Sequence, residues 1–393
     1  MNKSKSLLTC LTLLLALLLV GSGCKRKSSD KSDERKLKPR TSLGTERIPT
    51  SKPTVLPLLT GYPSLDRRPG PQHAIRQKVA DKLERCLLSA DSTGDCFVDT
   101  ARARMIDAKP PVEASGKEAV AAMMKNGFGL GLSAVKSKPI VTMVKGREAV
   151  LICHVQGVAS DEFLGVNAQD KPVGLVGALY VRYDTSERIV EVQAFIDQLS
   201  ALGQVGGTSL AYRPAAPAPA EAPVEAPVEA PAEVPVDVPA GVPVRALASG
   251  YGSEAKNLQI MQYITGDLDQ HDKELMGRYY GPESVISRSW QPADFQGIGP
   301  LLDSYAVEFK GTSNSRHTVK WEWVAQDHVA MLIERSGTST GPLFGNDTAS
   351  NRSYTIQELH IMRIRDGLLD KHWVFANGLG LANQIGIEIK PGK

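Results

Sequence analysis

Residues 179–206, LYVRYDTSERIVEVQAFIDQLSALGQVG, return 180 positions later as LHIMRIRDGLLDKHWVFANGLGLANQIG, residues 359–386. Few residues are identical: Leu179/Leu359, Phe195/Phe375, Leu199/Leu379, Gln204/Gln384 and Gly206/Gly386. The order of events is the same: an apolar strand, a charged turn, a second strand, and a Leu-rich stretch ending in Gln-x-Gly. A chain that closes two segments in the same way is expected to use one fold twice, so a function is sought twice.

Between the copies lies PAAPAPAEAPVEAPVEAPAEVPVDVPAGVPVR, residues 214–245, with Glu221, Glu225, Glu229, Glu233 and Asp237 at every fourth position. Proline at this density forbids a helix and predicts an extended spacer of about 3.1 Å per residue. The linker is set at 208–250, with one domain at 72–207 and another at 251–388.

Each domain opens with helical periodicity. Val79, Leu83, Cys86, Leu87 and Ala90 fall on one helical face, and GKEAVAAMMKNGF (116–128) makes a second amphipathic helix. GFGLGL (127–132) follows a helix, the wrong context for a phosphate loop, and reads as a helix stop. Strands are expected at 139–145, 148–157, 173–184 and 188–197. In the second domain, helices through Leu258, Met261, Ile264 and Leu268, near 273–279 and at 298–309 precede strands near 316–324, 328–336, 354–365 and 368–376. Helices first and antiparallel strands last predict an α+β class with the helices on one face of the sheet.

The N-terminus reads MNKSKSLLTCLTLLLALLLVGSGC: Lys3 and Lys5, an apolar run from about Leu11 to Val20, then small residues. This is the pattern of a secretory signal, and the run is short for a membrane span, which needs about 20 apolar residues. Gly21-Ser22-Gly23-Cys24 resembles a bacterial lipobox, although Gly21 stands where Leu is usual. Residues 1–23 are read as a lipoprotein signal peptide and Cys24 as the lipidated residue. The expected location is the bacterial cell envelope, on the periplasmic face or outer membrane. Residues 24–71 begin with Cys24 followed by KRKSSDKSDERKLKPR, too polar to bury a core, and read as a disordered basic tether. The formal net charge is +3, two units of which are Lys3 and Lys5, so the exported chain gives no electrostatic footprint for nucleic acid.

The order of motifs resembles the SnoaL-like polyketide cyclases of the NTF2-like, ketosteroid-isomerase-like superfamily. In the first domain the matching residues are Gly116 to Val120, Glu162 to Val166, Lys171 to Val173 and Ile189 to Gly206. In the second they are Glu358-Leu359-His360, Arg363 to Gly367, His372-Trp373 and Leu381 to Gly386. The resemblance implies two tandem cones, each a curved antiparallel sheet around helices and an apolar pocket. It also implies a W-x-x-x-D on the last strand whose aspartate removes a proton next to a carbonyl. These positions are Gln193 and Asp197 in the first domain, Trp373 and Asn377 in the second. An amide is no base near neutral pH, so Asp197 is the candidate base, with Tyr180 and His154 as weaker partners. Asp197 also reads as an exposed turn carboxylate that caps the Leu-rich stretch. Gln193, Phe195, Trp373, Phe375, Asn377, His360 and Glu358 are the candidate pocket residues. On the gapless alignment, Glu358, His360 and His372 stand where the first domain has Ala178, Tyr180 and Val192.

Cys86 and Cys96 flank a short polar loop, and an oxidising compartment allows them to pair; Cys153, in an apolar strand, reads as a buried thiol. No spacing suggests a metal, and no cofactor is expected. Three functions stay open: a membrane-tethered protein binding a small apolar ligand or a protein partner, a cyclase or isomerase with Asp197 as base, and a pairing module acting within the chain or as a homo-oligomer.

Overall fold

The computed structural model describes residues 70, 72–89, 94–215, 243–341, 343 and 349–389. The signal sequence, Cys24, the basic tether and most of the proline-rich spacer lie outside them. The two domains share an element order. In the first, helix His73–Leu88 and strands Phe97–Met105 and Val112–Ser115 lead to helix Lys117–Lys125. Long strands Leu132–Lys145, Glu148–Ala159, Pro172–Tyr183 and Ile189–Phe195 and a short helix Gln198–Gln204 follow. In the second, helices Gly252–Leu268 and Lys273–Gly277, strands Tyr280–Arg288 and Phe295–Gln296 and helix Ile298–Gly311 precede strands Thr312–Ala325, His328–Ser339, Ser353–Arg365 and Leu368–Phe375 and helix Gly378–Gln384.

Strands Phe97–Met105 and Tyr280–Arg288 fall where the sequence pattern predicts no element. Their buried positions include Ala101, Ala103 and Ser284, too small to make an apolar alternation. Each pairs in parallel with the last strand of its domain, so the sheets are antiparallel except at that seam and at one further edge. Val244–Leu247, read as part of the linker, forms that edge, parallel to Val141–Val144. Arg245 fastens it to the first helix through Asp81 and Glu84.

In the central strands, which are mostly buried on both sides, alternation assigns each residue to one of two faces. In the first domain Leu179, Val181 and Val192 face their own helices in one large apolar core. Ala178, Tyr180 and Phe195 point the other way, into a second cluster built jointly with Trp323, Leu359, Ile361, Trp373 and Phe375 of the second domain. The domains thus pack sheet on sheet. Tyr180 stacks on Trp321 across the seam at a ring separation of 4.5 Å.

Pairing register refines the repeat. Phe195 pairs with Ala178, whereas Phe375 pairs with Leu359, so strand Ser353–Arg365 is one residue out of step with the gapless alignment. The Gln-x-Gly motif confirms the shift: Gln204 clamps the N–H and C=O of Gly174 at 2.8 and 3.0 Å, and Gln384 clamps those of Thr355 at the same distances. A one-residue slip reverses a strand's faces, so the identity Leu179/Leu359 joins a residue facing the helices to one facing the seam.

The two short helices meet at one end of the seam. Asp197 caps its helix by accepting from Leu199 and Ser200 N–H, and its Oδ1 also accepts from Gly378 N–H at 2.8 Å. Asn377 caps the equivalent helix and donates to Gln198 Oε1 at 2.8 Å and to the carbonyl of Asp107. Gly380 is required here, because a Cβ would stand 2.5 Å from the Asp107 carbonyl oxygen.

Candidate functional site

The register identifies what the second sheet carries at positions that are apolar in the first. Where the first domain turns Phe97, Met105, Val155, Gly177, Leu179 and Val192 towards its helices, the second has Tyr280, Arg288, Arg335, Glu358, His360 and His372. The first cone is filled by apolar side chains. The second holds a polar cluster in the same place, and all six of its members are buried.

Glu308, from the last turn of helix Ile298–Gly311, accepts from Arg288 at 2.9 Å and from Arg335 through its other oxygen. Arg335 also lies 3.2 Å from Glu358 Oε1. Burial alone would raise both carboxyls, but Arg335 with Arg288 holds Glu308, and Arg335 with His360 holds Glu358, below the ordinary range. The two arginines and two glutamates therefore remain charged and cancel.

Behind them runs a row of hydrogen bonds: His360 Nε2 to Glu358 Oε2 at 3.3 Å, His360 Nδ1 to His372 Nε2 at 3.1 Å, His372 Nδ1 to Tyr280 Oη at 2.9 Å and Tyr280 Oη to Tyr305 Oη at 3.2 Å. An ionised carboxylate only accepts, and this fixes the direction of the row. With neutral imidazoles, His360 donates to Glu358, His372 donates to His360, Tyr280 donates to His372 and Tyr305 donates to Tyr280. Burial first, then the neighbouring His360 and Arg288, hold the His372 pKa well below the ordinary histidine value. Burial, with Tyr305 beside it, holds the Tyr280 phenol well above its own.

A cavity of about 320 Å³ opens onto the charged pairs, with Arg288, Glu308 and Arg335 at its floor and Trp290, Val307 and Leu381 among its apolar walls. Beneath the floor is a void of about 20 Å³ bordered by Glu358, His360, Tyr305 and His317, room for roughly one water-sized group. Arg335 Nε and Glu358 Oε1, one donor and one acceptor, have no hydrogen-bond partner there.

Glu358 and His360, expected in a pocket, border this void, and His372 lies behind them, hydrogen-bonded to His360. The other candidates lie elsewhere. Phe195, Trp373 and Phe375 are in the seam, Gln193 pairs beside Tyr180 on the same face, and Asn377 is a helix cap. Strand parity grouped these residues as the sequence suggested, but the shared face is the one turned to the other domain. Both faces of these strands are buried, so alternation alone does not say which faces the helices. Tyr180 donates to Glu148 at 2.5 Å on that seam face. His154, buried, shares a strand face with Val150 and Ile152 rather than with the core of its own cone. Asp197 lines neither the cavity nor the void described above. Ser200 N–H and Oγ, Leu199 N–H and Gly378 N–H occupy its oxygens, and burial raises its pKa to about 6. Cys86 and Cys96 are joined by a disulfide, and Cys153 is a buried thiol whose pKa burial pushes up to about 12.

Arg288, Glu308, Arg335, Tyr280 and Tyr305 escaped the sequence reading. The available signal was phase: Arg335 follows Val329, Met331 and Ile333 at alternate positions, so a charge sits on the helix-facing side of a core strand.

The SnoaL-like polyketide cyclase family model matches residues 259–385, the stretch that carries this cluster. Residues 259–385 form a SnoaL-like domain of NTF2 fold. Among solved structures, a protein from Jannaschia sp. CCS1 described as a SnoaL-like polyketide cyclase is 17% identical with a TM-score of 0.32, covering 34% of this chain and 94% of its own. TsrD from Streptomyces laurentii is 25% identical with a TM-score of 0.31, covering 33% and 94%. A protein with a ketosteroid isomerase-like fold from Catenulispora acidiphila DSM 44928 is 13% identical with a TM-score of 0.29, covering 33% and 94%. No curated protein matches the chain. Among the described residues no helix is long and apolar enough to cross a membrane, and no cluster of ligating side chains suits a metal ion.

Proposed function

We propose that the SnoaL-like second domain binds a small, largely apolar molecule, and that the first domain serves as its packing partner. The observation that carries this is the contrast between matching positions: those of the first domain are mostly apolar core side chains, whereas in the second a cavity of about 320 Å³ opens over Arg288, Glu308 and Arg335, whose charges are mutually neutralised with Glu358. A concave, mostly apolar site with a few convergent polar groups is the usual form of a small-molecule site. Thermal-shift screening of the full chain against neutral aromatic and aliphatic compounds tests it. Ligands that stabilise the wild type should lose their effect in Trp290→Ala. Ligands that stabilise both equally would place binding elsewhere and defeat the proposal.

A second reading, cyclisation or isomerisation of an enolisable carbonyl compound, is favoured by the family match and by the Glu358–His360–His372–Tyr280 row. It moves the chemistry from Asp197 to the second cone. Glu308 and Arg335 separate the cavity from the row, so a substrate must displace Glu308 to reach His360. The two readings part in deuterium oxide. A bound ketone whose α-protons exchange only with wild type, and not with His360→Phe, identifies an enzyme; binding without exchange leaves a carrier or sensor.

Retention at the cell envelope through Cys24 belongs to the same proposal. It is supported by the lipobox-like sequence, and the Cys86–Cys96 disulfide suits an oxidising compartment. Cys24→Ala should release the protein from the membrane fraction or leave the precursor unprocessed; unchanged attachment would remove this part.

A further inference from the structure

The cavity of the second domain is bordered by a piece of the first. After helix Gln198–Gln204 the chain turns at Gly206 and crosses to the other domain. Leu210 packs against the first core and against the small cluster around Ile356, Leu381 and Ile385 of the second domain. Ala211, exposed at the rim, lines the cavity together with Trp290, Pro292 and Leu381. Arg213 then fixes the far end. Its guanidinium donates to the Arg288 carbonyl at 3.1 Å and to the Asp294 carboxylate, while its backbone N–H donates to Ser200 Oγ at 3.0 Å. The single Ser200 hydroxyl proton in turn is shared between Asp197 Oδ2 at 2.5 Å and the carbonyl of Ser289 at 3.1 Å. The turn carrying Arg288, Ser289, Trp290 and Asp294 is thus held at three points by residues of the first domain and the segment that leaves it.

We propose that residues 207–213 are a built wall of the second domain's site, in which Ala211 sets the size of ligand admitted and Arg213 is the positioning residue for Arg288 and Trp290. This rests on the binding reading above and adds that the SnoaL-like domain is incomplete as a site without the strap from its neighbour. The Arg213 contacts are directional. A guanidinium forks between a carbonyl and a carboxylate, whereas a lysine ammonium can keep the ion pair but lacks the planar fork.

The test uses the full chain and the fluorescent probe 8-anilinonaphthalene-1-sulfonate, with thermal melting of every variant as the control for folding. Trp290→Ala reports whether the probe occupies the cavity. Ala211→Trp breaks no hydrogen bond and fills the rim from the strap side, and it is expected to weaken probe binding at least tenfold at unchanged melting temperature. Arg213→Ala is expected to weaken it by about tenfold, with Arg213→Lys recovering part of the loss. If Trp290→Ala removes the probe while Ala211→Trp and Arg213→Ala each stay within twofold of wild type, the strap is no wall and this inference is overturned with the cavity intact. If Trp290→Ala leaves the probe bound, the cavity reading fails and takes the inference with it. Should Arg213→Ala not fold, Ala211→Trp decides alone.

Discussion

Asp197 caps one helix and with the same carboxylate accepts a 2.8 Å hydrogen bond from Gly378, the first residue of the equivalent helix in the other domain. The residue that the family pattern offers as a base is here a clasp between domains. Its chemistry is that of a buried acceptor with every oxygen engaged.

Asp197 leaves a signature in the pH dependence of stability. Burial, opposed in part by the hydrogen bonds of Ser200, Gly378 and Leu199, raises its pKa from 3.8 to about 6. The folded state then binds the proton more tightly than the unfolded chain. The resulting stabilisation is fully present below about pH 4 and is lost as pH rises through about 6. Two pKa units correspond to roughly 3 kcal/mol. Urea unfolding of wild type and Asp197→Asn at pH 4 and pH 7 should therefore show a stability difference that shifts by about that amount in favour of the amide at the higher pH. A pH-independent difference would show that the carboxylate is solvated.

Glu358 carries the opposite sign. Burial would raise its carboxyl, but Arg335 and His360 hold it below 4.5, so its contribution is present above about pH 4.5 and is lost as the pH falls further. Glu358→Gln leaves Arg335 with Glu308 as its one remaining carboxylate partner. Breaking a buried pair from one side costs about 3 kcal/mol, and the variant should also lose part of the wild type's acid sensitivity. A Gln variant as stable as wild type at pH 7 would mean that the pair is exposed.

Tyr180 and Trp321 stack at 4.5 Å across the domain seam. A double-mutant cycle with Tyr180→Ala and Trp321→Ala, read by chemical unfolding, should give a coupling of about 0.5–1.5 kcal/mol. Additive losses would mean that the rings are not in contact in solution.

Produced without its neighbour, the second domain would expose Trp321, Trp323, Trp373 and Phe375, now packed against the first sheet. Apolar patches of this kind drive association, so residues 251–389 alone should dimerise or aggregate in sedimentation experiments. A soluble monomer would show that the seam is dispensable.

How far the sequence could be read follows from where apolar signal was strong. The long strands Glu148–Ala159 and Ser353–Arg365 announce themselves through Val, Ile and Leu, and the Gln-x-Gly closure located the repeat because Gln204 and Gln384 have the same backbone to clamp. Strand Phe97–Met105 was hidden by alanines on its buried face. Phe195, Trp373 and Phe375 joined the pocket residues through a choice that periodicity cannot make, since the face that bears them is as apolar as the one turned to the helices. The comparison of Glu358 with Ala178 failed because a gapless alignment conceals two changes that cancel, a longer connection before strand Ser353–Arg365 and a shorter turn after it. Glu308 and Arg335 could be linked only in three dimensions, coming as they do from a helix and a strand.

The mutual pairing of Arg288, Arg335, Glu308 and Glu358 has a kinetic corollary. Four charges that cancel within a few ångströms project almost no field beyond the cavity mouth, so an approaching molecule is neither drawn in nor turned away. Capture then depends on collision and fit, and its rate should hardly change with ionic strength.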